Sequence, residues 1–437
     1  MKMNLKNKSR RIWVILLWIC IWAIMAFTLD NRLFFPGPAT TAITLVKLLQ
    51  MPLFWKCIGI SFTKIAAGLF AGFVSGMVCA VASDRWPAVF ELLSVPVRCM
   101  KAVPVVCIVV LLLIWQGADN LSFIICFLVV FPNAYIQMYE GMKSVPREMK
   151  EMAKVLGLNG KAVLFAIYVP ALKPFVYSCL KLCLGLCFKS GVAAEVIGTP
   201  GFSIGEQIYL SKISLDTATV FAWTIAIVLG SGIFEKVCMK GAEFILSGKI
   251  HLAKKTIDKK DKLATLTVKH LSKRFENRVL FKDLSFICNT GQVLKFTQPS
   301  GFGKTTLFRI ITELDRDYEG EVSTVRHCGM MFQEDRLCTE LTAVDNVYLV
   351  TCDRQRAKDA LLTLLDEETI ERPVSQLSGG EKRRVALVRA MESDYCLTIL
   401  DEPFAGMDEQ TAQRAKEYID EKRADKILLI ADHTLKQ

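Results

Sequence analysis

Residues 298–306 read Gln-Pro-Ser-Gly-Phe-Gly-Lys-Thr-Thr. They follow the strand-like run Val293–Thr297 and lead into the helix-like run Thr305–Thr312. A phosphate chain needs many donors at close range. Glycines between a strand and a helix let main-chain N–H groups approach it, and the helix N-terminus adds its dipole. Ser300, Gly301, Gly303 and Lys304 are therefore the candidate phosphate contacts, with Thr306 beside them. The hydroxyl of Thr305 is placed to hold Mg²⁺. Further on, the apolar run Leu397–Leu400 ends in Asp401-Glu402-Pro403. An isolated Asp-Glu pair is ordinarily two solvated charges. Behind a buried-strand pattern it points to Asp401 as a Mg²⁺ holder through water and to Glu402 as the general base. ATP and Mg²⁺ are the implied cofactors.

Around this loop lies a second pattern. Leu377-Ser378-Gly379-Gly380-Glu381 precedes Arg384-Val385-Ala386 and Arg389-Ala390. With the phosphate loop, it resembles the ATP-binding cassette (ABC) ATPases. That resemblance implies roles for further residues. Phe275 would stack on adenine, and Gln333 would sense Mg²⁺, assist catalysis and face the permease. Asp408 would communicate across a dimer, and His433 would lie near the γ-phosphate; a surface histidine is the alternative for that position. It also implies that Ser378, Gly379 and Gly380 close over ATP held by a second copy, again with a helix N-terminus aimed at an anion. The resembling loops begin with Gly, where this chain has Gln298. If that position required φ > 0, Gln would cost about 1–2 kcal/mol, which the loop is expected to tolerate.

Upstream the composition changes. The chain has 437 residues, is 52% hydrophobic and has a mean hydropathy of +0.35 with net charge +11. Apolar runs at about 12–29, 58–82, 101–116, 121–139, 172–194 and 217–239 read as six membrane spans. Lys143, Arg147, Lys150, Lys154 and Lys161 sit in one connection, whereas Gln116–Asn120 has no basic residue. This positive-inside pattern places both termini and the 141–170 connection in the cytoplasm and argues against nucleic acid as the partner of the basic charge. Lys189 and Glu195 fall in or near the fifth span, where pathway-lining and structural roles both remain open. Cys179, Cys183 and Cys187 recur on one helical face and read as small packing residues.

Within the basic connection stands Glu151-Met152-Ala153, then Gly157 and, after nine intervening residues, Ile167-Tyr168-Val169-Pro170. A helix from about Pro146 to Leu156 can end at Gly157, giving two short helices able to enter a cleft. The spacing resembles the cytoplasmic loop of ABC importer permeases, with Met152 and Val169 as conservative departures. Arg98–Asn120, Glu148–Pro174 and Ala194–Gly205 look like the nitrate/sulfonate/taurine-type permeases.

The expected fold is multidomain. An all-α polytopic membrane domain (1–245) leads through a basic linker (246–262) to an α/β phosphate-loop ABC ATPase domain (263–437). The resemblance implies ATP-driven import of a small solute, a sulfonate- or nitrate-like anion first, by a fused permease and ATPase subunit in the cytoplasmic (inner) membrane. Its implied partners are a second copy in a homodimer, an extracytoplasmic solute-binding protein, membrane lipid and the solute. A non-transporting membrane-anchored regulator and an exporter are the alternatives.

Overall fold

The computed structural model describes residues 3–29, 34–246, 265–275, 278–298 and 301–432. Residues 247–262 of the expected linker lie outside them. The chain divides into two compact units: Met1–Ser144 with Leu172–Gly248, and Val145–Ala171 with Lys249–Gln437. The second unit thus takes a stretch from the middle of the region expected to be wholly membrane domain.

The first unit is helical. It begins with α1 (Met3–Leu29), α2 (Pro38–Leu49), α3 (Pro52–Arg85), α4 (Pro87–Ala102), α5 (Val105–Gln116) and α6 (Leu121–Lys143). After α7 (Arg147–Val155) and α8 (Gly160–Val163), a π-helical turn at Leu164–Tyr168 leads into α9 (Val169–Gly198), followed by α10 (Ile204–Ile213) and α11 (Thr217–Leu246). Pro52–Arg85, Leu121–Lys143, Gly160–Gly198 and Thr217–Leu246 are long and apolar enough to cross a membrane. The apolar part of α1, Trp13–Leu29, is shorter. The span expected at 101–116 differs: α4 and α5 meet at 101° across Val103-Pro104 and make a fifth crossing only as a bent pair. Pro104 has no N–H to continue a helix and forces the preceding residue out of the helical region.

Small residues set the packing here. Gly68, Gly72 and Gly76 recur every fourth residue along α3. A Cβ on them would lie 2.4 Å from the Phe123 carbonyl oxygen, 2.9 Å from Val130 Cβ and 2.8 Å from Ala134 Cβ on α6. The two backbones approach because nothing intervenes. Cys179, Cys183 and Cys187 are buried in the same core. Glu195, wholly buried, accepts hydrogen bonds through Oε2 from Ser61 Oγ (2.7 Å) and the Gly205 N–H (3.3 Å). Ser61 Oγ in turn accepts from the Ile204 N–H at 3.0 Å. Through this oxygen the side chain caps the start of α10.

The second unit holds two sheets. β1 (Thr265–Phe275), β2 (Arg278–Asn289) and β4 (Glu319–Val322) form an antiparallel sheet in the order β2-β1-β4. β3 (Val293–Phe296), β5 (Gly329–Met331), β6 (Leu397–Asp401) and β7 (Ile427–Ala431) form a parallel sheet in the order β3-β7-β6-β5. β6 and β7 are buried along their length, β7 with an unbroken apolar sequence and β6 with Thr398 and Asp401 among its apolar residues. The helices α12 (Lys304–Ile311), α13 (Ala343–Thr351), α14 (Arg354–Leu362), α15 (Glu367–Ile370), α16 (Gly379–Met391) and α17 (Glu409–Lys422) complete the unit. Ligands of such sheets gather at the carboxyl ends of the strands, where β3 and β6 deliver the phosphate loop and Asp401-Glu402.

Candidate functional site

The phosphate loop turns through two left-handed glycines, Gly301 (φ 83°) and Gly303 (φ 97°), before α12 begins at Lys304. A Cβ at Gly303 would sit 2.6 Å from Leu280 Cγ, so both conformation and space require glycine there. Lys304 is buried, and its Nζ donates to the carbonyl oxygen of Gln298. Gln298 is not among the described residues with left-handed φ. The backbone cost weighed for it is therefore not incurred, and the lysine uses only its main-chain oxygen. Ser300 lies outside the described residues, and Thr306 is half-buried in the first turn of α12. Gly303→Ala is expected to weaken ATP binding at least about tenfold, since the left-handed strain alone costs about 1–2 kcal/mol. Titration with a fluorescent ATP analogue checks this.

Thr305 and Asp401, expected to share Mg²⁺, are in contact: Thr305 Oγ1 donates to Asp401 Oδ2 at 2.9 Å. Burial holds the Asp401 carboxyl above its ordinary range against the opposing Thr305 hydrogen bond, and the neighbouring Glu402 charge raises it further. Two converging hard oxygen donors, one a buried carboxyl, fit Mg²⁺. Glu402 stands at φ 52°, its N–H bonded to the Ala431 carbonyl at 2.8 Å. A glutamate in this region costs about 1–2 kcal/mol, strain of the kind that gathers at active sites.

Gln333 is exposed, and among the described residues no hydrogen bond joins its side chain to Thr305 or Asp401. Its link to them runs through Arg383. This buried guanidinium donates Nη1 to the carbonyls of Phe332 (3.0 Å) and Gln333 (2.9 Å) and to Asp335 Oδ1 (2.9 Å). Its Nη2 donates to the carbonyls of Asp401 and Glu402, both at 2.6 Å. Arg389, fully buried and pulled down to about 10 by desolvation, donates to the carbonyls of Arg336 (2.9 Å) and Asp335 (3.2 Å). Arg383 escaped the sequence reading, although it lies on one helical face with Ala386, Leu387 and Ala390, an arginine on an apolar stripe. Arg383→Met, which strands these acceptors, is expected to lower stability by about 3 kcal/mol and to reduce ATP turnover. Urea unfolding and phosphate release measure the two effects.

Ser378 opens α16 with a capping box: its Oγ accepts from the Glu381 N–H and Glu381 Oε2 accepts from the Ser378 N–H. A Cβ on Gly379 would meet nothing within 4 Å, and one on Gly380 only the Gly406 carbonyl at 3.6 Å. Among the described residues nothing crowds these glycines. Asp408 caps α17, accepting from the Thr411 N–H (2.9 Å) and Oγ1 (2.8 Å). These hydrogen bonds hold its carboxyl below the ordinary range. Phe275 ends β1, and nothing is described of its side chain; His433 lies outside the described residues.

The segment Val145–Ala171 is built into this unit. Met152, Val155, Leu156, Ala162 and Ile167 are buried in one apolar core with Leu307, Phe308 and Ile311 of α12. Helix α7 stops at the left-handed Gly157 (φ 57°), and the Cys328 N–H donates to the Val155 carbonyl at 3.0 Å. Glu151 takes a two-pronged grip from Arg309 of α12, at 2.9 and 3.0 Å, and a third contact from Arg336 at 3.3 Å. The Arg309 hydrogen bond, with Arg336 behind it, holds the Glu151 carboxyl below its ordinary range against burial.

A strand–loop–helix phosphate cradle, an Asp-Glu pair with its Asp buried at the end of a strand of the same sheet and a capped glycine pair define a nucleotide-binding cassette. Comparisons with known proteins agree. Residues 281–405 match the family model described as ABC transporter, and residues 68–235 match that of the binding-protein-dependent transport system inner membrane component. The aliphatic sulfonates import ATP-binding protein SsuB 1 of Rhodococcus jostii is 33% identical over 186 residues, covering 40% of this chain and 75% of that protein. The lipopolysaccharide export system ATP-binding protein LptB of Escherichia coli is 31% identical over 199 residues, covering 40% and 83%. The sulfate/thiosulfate import ATP-binding protein CysA of Bradyrhizobium diazoefficiens is 32% identical over 178 residues, covering 36% of this chain and about half (52%) of that protein. Among solved structures, the dimeric cassette MJ0796 bound to ADP and Pi aligns with a TM-score of 0.36 at 24% identity, covering 39% of this chain and 88% of that one.

The chain belongs to the ABC transporter family. It carries a membrane permease domain and an ATP-binding cassette on one polypeptide.

Proposed function

We propose that this chain is the combined permease and ATPase subunit of a binding-protein-dependent importer. It would drive a small solute inward across the cytoplasmic membrane, small organic or inorganic anions such as sulfonates or nitrate first and pyrimidine-type vitamin precursors second. It crosses that membrane several times, with both termini and the cassette in the cytoplasm. The observation that carries this reading is the burial of Val145–Ala171 in the cassette core, with Glu151 held by Arg309. A segment lying between two membrane helices thereby becomes part of the nucleotide-binding unit.

In the proposed cycle, Gly301, Gly303, Lys304 and Thr306 hold the phosphates, Phe275 holds adenine, and Thr305 and Asp401 hold Mg²⁺ with Gln333 nearby. The ion, when bound, neutralises phosphate charge. Glu402 polarises the attacking water, and His433 faces the γ-phosphate. Ser378, Gly379 and Gly380 close over the nucleotide of a second copy, with Asp408 at the junction. The uncrowded glycines support that role, because their small size serves a group arriving from outside the chain. Arg383 and Arg389 then relay the state of Asp401-Glu402, through residues 332–336, to Glu151 and Met152. Paired cassettes closing on ATP and reopening after hydrolysis would rock the spans.

Two rival readings have lost ground. The non-transporting one rested in part on Gln298, which is not among the described residues with left-handed φ. The export reading has cassette relatives behind it, but the match over residues 68–235 is to binding-protein-dependent permeases. Uptake of labelled sulfonate or nitrate into proteoliposomes tests the proposal. Accumulation is expected only with ATP on the cassette side and a solute-binding protein on the other. Transport that proceeds without any binding protein would favour the exporter.

A further inference from the structure

Within the first unit, α9 and α11 frame a cleft of about 660 Å³ whose wall includes Leu184, Phe188, Lys189, Ile227, Ser231 and Glu235. Both helices belong to segments apolar and long enough to cross a membrane. A charge facing lipid in such a segment costs about 2.5–3.5 kcal/mol or more, so it is kept only where water, a counter-charge or a solute receives it. Lys189 and Glu235 carry opposite signs on one cleft. Yet among the described residues neither forms an ion pair, with the other or with any third group. Gly185 and Gly232 widen the same cleft: a Cβ at either would meet nothing within 4 Å. The remaining wall at Leu184, Phe188 and Ile227 is apolar.

We propose that this cleft is a binding site for a small zwitterion. The acid group of the solute would lie toward Lys189, its ammonium toward Glu235, and a short methylene chain along the apolar wall. Ser231, one helical turn from Glu235, adds a hydroxyl. A plain anion satisfies only half of this arrangement and leaves Glu235 opposed to it. The inference rests on the reading that the chain moves a solute, and it replaces the plain anion named above with a solute that carries an ammonium as well.

The full chain in lipid nanodiscs tests it without ATP turnover. In a Ser231→Cys chain, labelling of position 231 by membrane-impermeant methanethiosulfonates is followed by site-resolved mass spectrometry. Labelling is expected, because the cleft is wet. Among ω-amino acids from glycine to 6-aminohexanoate, at least one should slow it about tenfold at saturation. The carboxylate and the alkylammonium of the same length should not. Protection should vanish with Lys189→Met, with Glu235→Gln, and with Gly232→Leu, which fills the cleft and leaves both charges in place. If Ser231→Cys does not elute as a single species, Val228→Cys reports from the same wall. No labelling at either position would mean that the face lies against lipid or a second copy, and the proposal would fall. Protection by none of the ω-amino acids, equal protection by the plain carboxylate, or protection that survives the charge variants would also overturn it. Protection in a chain that transports nothing would spare the site and sink the transport reading instead.

Discussion

Glu402→Gln is expected to lower ATP turnover about 10³-fold while ATP still binds. The substitution keeps the shape of the side chain, the Glu402 N–H bond to Ala431 and the carbonyl that receives Arg383. Lys304, Thr305 and Asp401 are untouched. What disappears is the carboxylate that polarises water, and general-base catalysis contributes about 10²–10⁴-fold. Phosphate release gives the rate, and a fluorescent ATP analogue gives the affinity. Equal rates in the two proteins would remove Glu402 from the chemistry. A parallel loss of binding would mean that the strained backbone at φ 52°, and not the acid group, had been disturbed.

The second large effect lies away from the nucleotide. Glu151→Ala is expected to reduce solute uptake more than about tenfold while the cassette goes on hydrolysing ATP. Removal of the carboxylate leaves Arg309 and Arg336 partly buried and unmatched, at a cost of about 2–3 kcal/mol. That figure sits toward the low end for ion pairs because Arg309 keeps some water contact. Docking has its own readout: the Cys328 N–H, bonded to the Val155 carbonyl, should exchange faster with solvent. Arg309→Met should do the same, and the double variant should be no worse than either single one. The sign of the pH effect follows from the depressed Glu151 carboxyl. Its stabilising contribution is complete above the ordinary carboxylate range and is lost as pH falls through the depressed value. The protection of the Cys328 N–H relative to its intrinsic exchange rate should therefore stay constant between about pH 6 and 8 and should fall only in acid. An unchanged Cys328 exchange in Glu151→Ala would show that the apolar contacts of Met152 and Val155 hold the segment alone.

Much of this was legible in the sequence because it rests on local rules. The glycines of 301–303, the apolar run before Asp401 and the stop at Gly157 each dictate a nearby backbone shape. The structure places β3, α12 and β6 within a residue or two of the runs read at 293–297, 305–312 and 397–400. What remained hidden depends on direction or distance. Hydropathy rises from the partly charged α4 to the apolar α5, but it carries no angle, so it cannot report the 101° turn at Val103-Pro104. An arginine on a buried face can be flagged, but the five oxygens that accept from the Nη atoms of Arg383 come from residues 332–335 and 401–402. Glu195 is legible as a charge in a span. Its partner Ser61, 134 residues away, is not.

The discontinuous make-up of the second unit bears on how the protein is born. A ribosome finishes Val145–Ala171 long before β7, and at about 5–20 residues per second the wait is roughly 10–50 seconds. Through that interval Met152, Val155, Leu156 and Ile167 have no cassette to cover them. Nascent chains stalled before residue 432 should therefore attract chaperones at this hairpin, and a cassette expressed from 263 onward should be sticky where the hairpin belongs.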